Sequence, residues 1–401
     1  VWKIICPIGG ERFPTNDFAS GDFTSGAYPD DGIGGGCEVD GNKYGFIAEM
    51  SQAYSHQMLR VFPECAWAYV STRDPRYLHK ALVAVSRVAV EYAYLATMTQ
   101  HRHRNTMKQV ERFGPGRFDE GPILARSGFT IYCIDQAGYQ LRYAEAYDAI
   151  WPDIDKDREI IAFLRGKGFG VKNGADVRRF IEENLFAVWM QGTMDGANAS
   201  NEPWPQRGFA KIAEMLNYRR GTEFMDWLYD GDGNMRIFLP NGYFRDGAPY
   251  ESTGGYNSAH VDSLGPILSS IEKLRALNPD LYPADRYPDL ARLRRYRQIF
   301  DFSMDTVNIG RTFPRVGDTG GHPKFQVLDR ITRQNGSLEA FEQVYRVTRD
   351  PKFAWALARD SAWKPSAGFP FTREDIEREA SKIPDDWNDR SSLQDGYGLA
   401  M

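Results

Sequence analysis

From Tyr44 onward, apolar residues recur at helical spacing. The stretches "YGFIAEMSQAYSHQMLRVFPECAWAYVS" and "RYLHKALVAVSRVAVEYAYLATMT" place them on one face of a 3.6-residue period. The same period predicts helices near 125–150, 155–168, 175–191, 204–218, 221–229, 258–276, 285–307, 336–347 and 372–382. Strand signals are confined to "MRIFL" at 235–239 and to the final residues. Asp74-Pro75 reads as a helix start, with Asp as N-cap and Pro at the first helical position. A weak repeat follows from that junction: "AYVSTRDPRYLHKAL" (68–82) is similar to "VYRVTRDPKFAWALA" (344–358). Each copy reads as a helix end, a turn and a new helix start, which suggests stacked helical hairpins.

The expected fold class is therefore all-α, as either an open solenoid or a closed (α/α) toroid. The long Gly-rich connections favour the toroid. Three parts are expected. Residues 1–45, rich in Gly, Asp and Pro, form an irregular segment packed on the helices. Residues 46–385 form the toroid, and 386–401 a linker with the start of a further β domain. Both termini read as cut from a longer protein.

Composition changes this picture little. Hydrophobic residues make up 42% and charged residues 26%, an ordinary balance for a buried core. A net charge of −5 gives no case for nucleic acid as a partner. No apolar run approaches the ~20 residues that span a bilayer, so no membrane is expected. The four cysteines and six histidines show no zinc spacing, and no metal site is expected. Cys65 and Cys133 fall in helical patterns and read as buried thiols. Cys6 and Cys37 lie in glycine-rich sequence, where a pairing stays open. Aromatic residues reach 13%, which suits sugar platforms and core packing alike.

Three loops concentrate polar chemistry. "GTMDGANASNEPWPQRG" (192–208) carries Asn201, Trp204, Gln206 and Arg207. A capped interhelical turn explains its Asn and Pro in part, but not the run of amides. "NGYFRDGAPYESTGGYNSAH" (241–260) carries Arg245, Tyr250, Glu251, Tyr256 and His260. For any one of its tyrosines alone, core packing is the plainer reading. "GRTFPRVGDTGGHPKF" (310–325) adds Arg315 and His322. It has glycines but neither a Walker sequence nor a dinucleotide fingerprint, so no nucleotide cofactor is expected.

Amides, arginines, tyrosines and histidines together suit β-elimination from a uronic-acid polysaccharide. The C5 proton is weakly acidic while the neighbouring carboxylate is charged. Donors at that carboxylate stabilise the developing dianion. A base removes the proton and an acid protonates the leaving glycosidic oxygen. Tyrosine serves both steps where nearby positive charge lowers its pKa. Rival uses of the same residues are a glycoside hydrolase, a uronyl C5-epimerase and a non-catalytic carbohydrate-binding scaffold. The hydrolase would draw on Asp195, Asp246, Glu251 or Asp318.

The segments "WKIICPIGGERFPTNDF", "PDDGIG", "TRDPRYLHKA", "NEPWPQ", "DGAPYESTGGYN" and "PRVGDTGG" resemble the heparinase II/III-like polysaccharide lyases. Members of that family share an α/α toroid followed by β-sandwich domains. "DGAPYESTGGYN" is similar to the family's DG-x-x-x-E-x-x-x-G-Y segment, which carries the acid tyrosine onto Tyr256. The carboxylate-neutralising asparagine carries onto Asn201, although Glu202 stands where the family often has histidine. Gln206 is a substitute donor, and His260 or His322 stands in for a family histidine that often lies in the β-sandwich part. "CPIGG" lacks the second cysteine of a CPxCG stretch found in relatives. The resemblance implies a secreted or periplasmic bacterial enzyme, without a cofactor, acting on an anionic polysaccharide.

Overall fold

The computed structural model describes residues 4–5, 10, 12–13, 15, 37–39, 42–44, 56–91, 133–194, 201–217, 221–251, 255–306, 316–317, 338–361, 363–387, 391–396 and 398–400. They are predominantly helical and fall into two compact units. One comprises Val1–Asn201 with Lys211–Leu216, the other Glu202–Ala210 with Asn217–Met401. Among the described residues, strands are limited to three short antiparallel pairs: Ile4–Ile5 with Arg12–Phe13, Cys37–Val39 with Asn42–Tyr44, and Leu393–Gln394 with Leu399–Ala400. Among the described residues of 46–385 there is no strand, only isolated bridges. None of the described helices is long and apolar enough to cross a membrane.

In the first unit, α1 (His56–Thr72) and α2 (Pro75–Glu91) form a hairpin, and α3 (Cys133–Ile150) packs on α1. The α2 sequence dictates its buried stripe: Leu78, Ala81, Leu82, Val85, Val88 and Ala89 are all sealed from solvent. Phe62, Tyr143 and Trp189 meet at the centre, with ring centroids 4.8 and 5.4 Å apart. A 3₁₀ turn (Trp151–Lys156) leads to α4 (Arg158–Gly166). There Asp157 Oδ1 accepts from Glu159 N and Ile160 N at 3.0 Å, and its Oδ2 stands 2.8 Å from His79 Nδ1. Next come α5 (Gly174–Ile181), a π turn (Glu182–Phe186) and α6 (Ala187–Met194).

Helix α7 (Trp204–Leu216) is followed by α8 (Glu223–Tyr229), α9 (Met235–Asn241), α10 (Gly255–Leu277) and α11 (Arg294–Asp305). Helices α12 (Leu338–Thr348), α13 (Pro351–Arg359) and α14 (Arg373–Ala380) close the series. Phe300 on α11 meets Phe341 on α12 at 5.0 Å. Gly265 lets α10 lie close against α12, where a β-carbon would come 2.9 Å from that of Ala340. Buried Glu342 accepts from Trp363 Nε1 (2.8 Å), Ser366 N (3.0 Å) and Ser366 Oγ, and so ties the chain after α13 to α12.

The sequence repeat is a repeated corner. In each copy the residue after threonine is an arginine in the left-handed region, Arg73 at φ 58° and Arg349 at φ 55°. Its N–H closes the preceding helix on Tyr69 O (2.7 Å) or Tyr345 O (2.8 Å). Thr72 Oγ1 donates to Ala68 O and accepts from Asp74 N; Thr348 Oγ1 does the same with Val344 O and Asp350 N. The aspartates then cap the next helix, accepting from Arg76 N (3.0 Å) and Lys352 N (3.2 Å). Each arginine also lies over the tyrosine of its own corner, at 5.5 and 5.8 Å.

Three expectations are corrected. "MRIFL" is not a strand but lies in α9, where Ile237 N and Phe238 N both bond Asn234 O. A five-residue apolar run is too short for period alone to separate strand from helix. The helix expected over 285–307 is split. Asp289 caps a 3₁₀ turn at Leu290–Arg292, and Leu293 is extended at ψ 133° before α11 begins. Cys65 is half-buried rather than buried, though burial still pushes its thiol pKa up. Cys6 and the side chains of Cys37 and Cys133 lie outside the described residues.

Removing one corner cap tests this account. Asp350→Ala is expected to lower unfolding stability by ~1 kcal/mol with an unchanged urea m-value. A loss near zero would mean that the cap is idle.

Candidate functional site

Of the three polar loops, the first is described from Asn201. Asn201 is half-buried in the turn before α7, and Pro203 and Pro205 flank the first helical residue, Trp204. Prolines fit there because first-turn N–H groups lack intrahelical partners. Trp204 is half-buried. Gln206 points inward, 2% exposed, and its Nε2 donates to Gly233 O at 3.0 Å. Gly233 sits in the turn after α8, where a β-carbon would come 2.7 Å from Trp227 O. Gln206 thus fastens the start of α7 to that turn, and Phe209 adds ring contacts to Trp227 (4.4 Å) and Phe224 (4.9 Å). Arg207 is half-buried and engaged by neighbouring groups.

Glu202 keeps contact with solvent, yet the protein around its carboxyl removes enough water to push its pKa up. A hydrogen bond from Gln206 opposes this more weakly.

The second loop is a tight turn between α9 and α10. Tyr243 and Pro249 form an antiparallel bridge, and Phe244 N donates to Ala248 O at 2.7 Å. Asp246 Oδ1 accepts from Ala248 N at 3.0 Å, an Asx turn. Gly247 has φ +89°, and any side chain there would collide with the Gln298 carbonyl of α11. Tyr243 is fully buried, while Arg245 is exposed at the tip of the turn. Tyr250 is 55% exposed and meets Phe244 edge-on at 4.5 Å. Glu251 is exposed and has an interaction of its own. After residues 252–254, α10 begins at Gly255. Tyr256 is its second residue and His260 follows four positions later.

Of the third loop only Val316 and Gly317 are described. Arg315 and His322 lie outside the described residues, as do Asp195 and Asp318. The side chains of Tyr256 and His260 are likewise outside them. The turn and the helix start are thus placed by backbone, and Asn201, Trp204, Gln206, Arg207, Arg245, Tyr250 and Glu251 by side chain.

Sequence reading missed Arg295, whose Nη1 donates to Phe244 O at 2.6 Å. It also missed Gly396, whose N–H donates to Asp246 Oδ2 at 2.8 Å. No local signal marks either, because each acts far along the chain from its partner. A cavity of ≈ 360 Å³ lined by Tyr229, Ile271, Arg275, Tyr282, Gln343 and Arg346 was equally invisible. Glu272 and Asp289 offset its two arginines, and Arg346 already pairs with Glu272, so it has no bias toward an anionic ligand.

Glu202 gives a pH test. A carboxyl whose pKa is raised on folding makes the folded state bind its proton more tightly. Stability is then lost as pH rises through the interval above the ordinary glutamate value. Glu202→Gln should remove that loss. The variant is expected to have a higher urea midpoint than the parent at about pH 8 and none of that advantage at about pH 3. Equal midpoints at both would show that the carboxyl titrates as if free.

No protein-family model matches the chain, and comparison with curated proteins finds no match.

Proposed function

We propose that the chain is the helical part, an (α/α) toroid, of a lyase that cleaves a uronic-acid polysaccharide by β-elimination. The observation that carries this reading is the DG-x-x-x-E-x-x-x-G-Y segment. A pinned turn leads within a few residues into a 23-residue helix whose second residue is Tyr256. A helix N-terminus favours negative charge, which helps a tyrosine cycle through its phenolate. Tyr256 donates a proton to the glycosidic oxygen as its bond to C4 breaks. A base takes the C5 proton, and the electrons of that C–H bond form the C4–C5 double bond. His260, one helical turn beyond Tyr256, is the candidate base in the same helix.

Asn201 enters as the donor to the uronate carboxylate from the family resemblance alone. Gln206 drops out of that role because its amide already serves Gly233. Arg245 and Tyr250 stand at solvent on the pinned turn, suited to an anionic sugar and to ring stacking. Both oxygens of Asp246 are engaged within the protein, which weakens its case as one carboxylate of a hydrolase pair. A polymer substrate of this kind implies a secreted or periplasmic enzyme.

Incubation with a panel of uronate polymers tests the reading through the ultraviolet absorbance of the unsaturated product. New reducing ends without that absorbance would indicate a hydrolase, and isomerised uronate without chain cleavage an epimerase. Affinity alone would indicate a binding scaffold. Tyr256→Phe is expected to lower turnover ~10²-fold or more while substrate affinity is retained. Near-normal turnover in that variant would remove Tyr256 from the mechanism. Arg245→Ala is expected to raise KM, with the parent's advantage shrinking as salt screens the pair.

A further inference from the structure

We infer that Asp246 is a positioning residue, which latches the Tyr243–Tyr250 turn to the 391–396 segment and thereby fixes where α10 and Tyr256 begin. The importance of Tyr256 rests on the lyase reading; the latch itself rests on geometry. One carboxylate makes both bonds. Oδ1 accepts from Ala248 N at 3.0 Å and shapes the turn, while Oδ2 accepts from Gly396 N at 2.8 Å. Gly396 also lies flat on Phe244, where a β-carbon would come 2.6 Å from the Phe244 side chain.

The two sides share a floor. Arg295 Nη1 donates to Phe244 O at 2.6 Å, and Gly247 lies against Gln298, both from α11. Ser392 Oγ donates to Asp305 O at 2.8 Å, at the end of the same helix. The turn is therefore held by α11 beneath it and by the late segment beside it. Only residues 252–254 separate Glu251 from Gly255, a tether of at most ~14 Å when extended. Further along, α10 is held against α12 at Gly265. The start of α10 thus lies between two anchors, the turn on one side and the Gly265 contact on the other. Glycine at 396 and aspartate at 246 are both required: a side chain at 396 meets Phe244, and a neutral amide at 246 offers one acceptor where two donors converge.

Asp246→Asn and Gly396→Ala test the latch in the full 401-residue chain. On a cleavable uronate polymer each should lower kcat/KM about 10-fold or more. The double variant should be no worse than the more severe single, since both break one contact. Without substrate, amide exchange over 255–260 should quicken in both while 351–359 keeps its parental protection. Multiplicative kinetic losses, or unchanged exchange over 255–260, would overturn the inference. If Gly396→Ala does not fold, Ser392→Ala loosens the same segment and must quicken the same exchange. A parent chain that leaves every uronate polymer intact would sink the lyase reading, and the exchange measurements would still decide the latch.

Discussion

A helix that begins anywhere in this chain leaves backbone N–H groups without intrahelical partners, and that constraint organises much of what surrounds it. Asp157, Asn173, Asp350 and Thr372 each accept from the first turn of a helix. Most helices here are short, and the short ones are not stable on propensity alone. Their direction is set where one ends and the next is capped. The Tyr-x-x-Thr-Arg-Asp-Pro corner solves both problems in seven residues, and it is used once in each unit. Its arginine accepts a left-handed backbone, which costs about 1–2 kcal/mol, and its stack on the tyrosine offsets part of that.

The same economy of donors and acceptors governs the polar interior. Gln206 falls in one polar loop of the sequence, Glu342 in the helix expected over 336–347 and Asp246 in another polar loop, with nothing local to tell their roles apart. In the fold the first is a buried fastener, the second a buried anchor for three donors, and the third a two-sided latch. What separates a group available to substrate from one already committed is its partner list. On that measure Arg245 and Tyr250, at solvent on a rigid turn, are better placed to meet a sugar than Gln206.

What was legible in the sequence was whatever is local. The periodic stripe of α2, the start of α10 close to Tyr256 and the two corners all follow from residues within a turn or two of each other. "MRIFL" misled because five apolar residues fit either period, and the choice was made by Asn234 closing the first turn of α9. The helix predicted over 285–307 broke because Asp289 caps a separate short turn. The contacts that pin the candidate site were illegible for a different reason. Arg295 lies 51 residues from Phe244, and Gly396 lies 150 from Asp246. Neither spacing leaves a pattern in a window of any useful length.

That last separation has a consequence for how the protein is made. Asp246 leaves the ribosome 150 residues ahead of the glycine that completes its coordination. At about 5–20 residues per second, the interval is roughly 8–30 s. Throughout it the nascent turn can have its Ala248 bond and its seat on α11, once that helix has emerged, but not its second anchor. The helices therefore have time to assemble around a turn that is still only half fixed, and its second anchor forms only after residue 396 has been made.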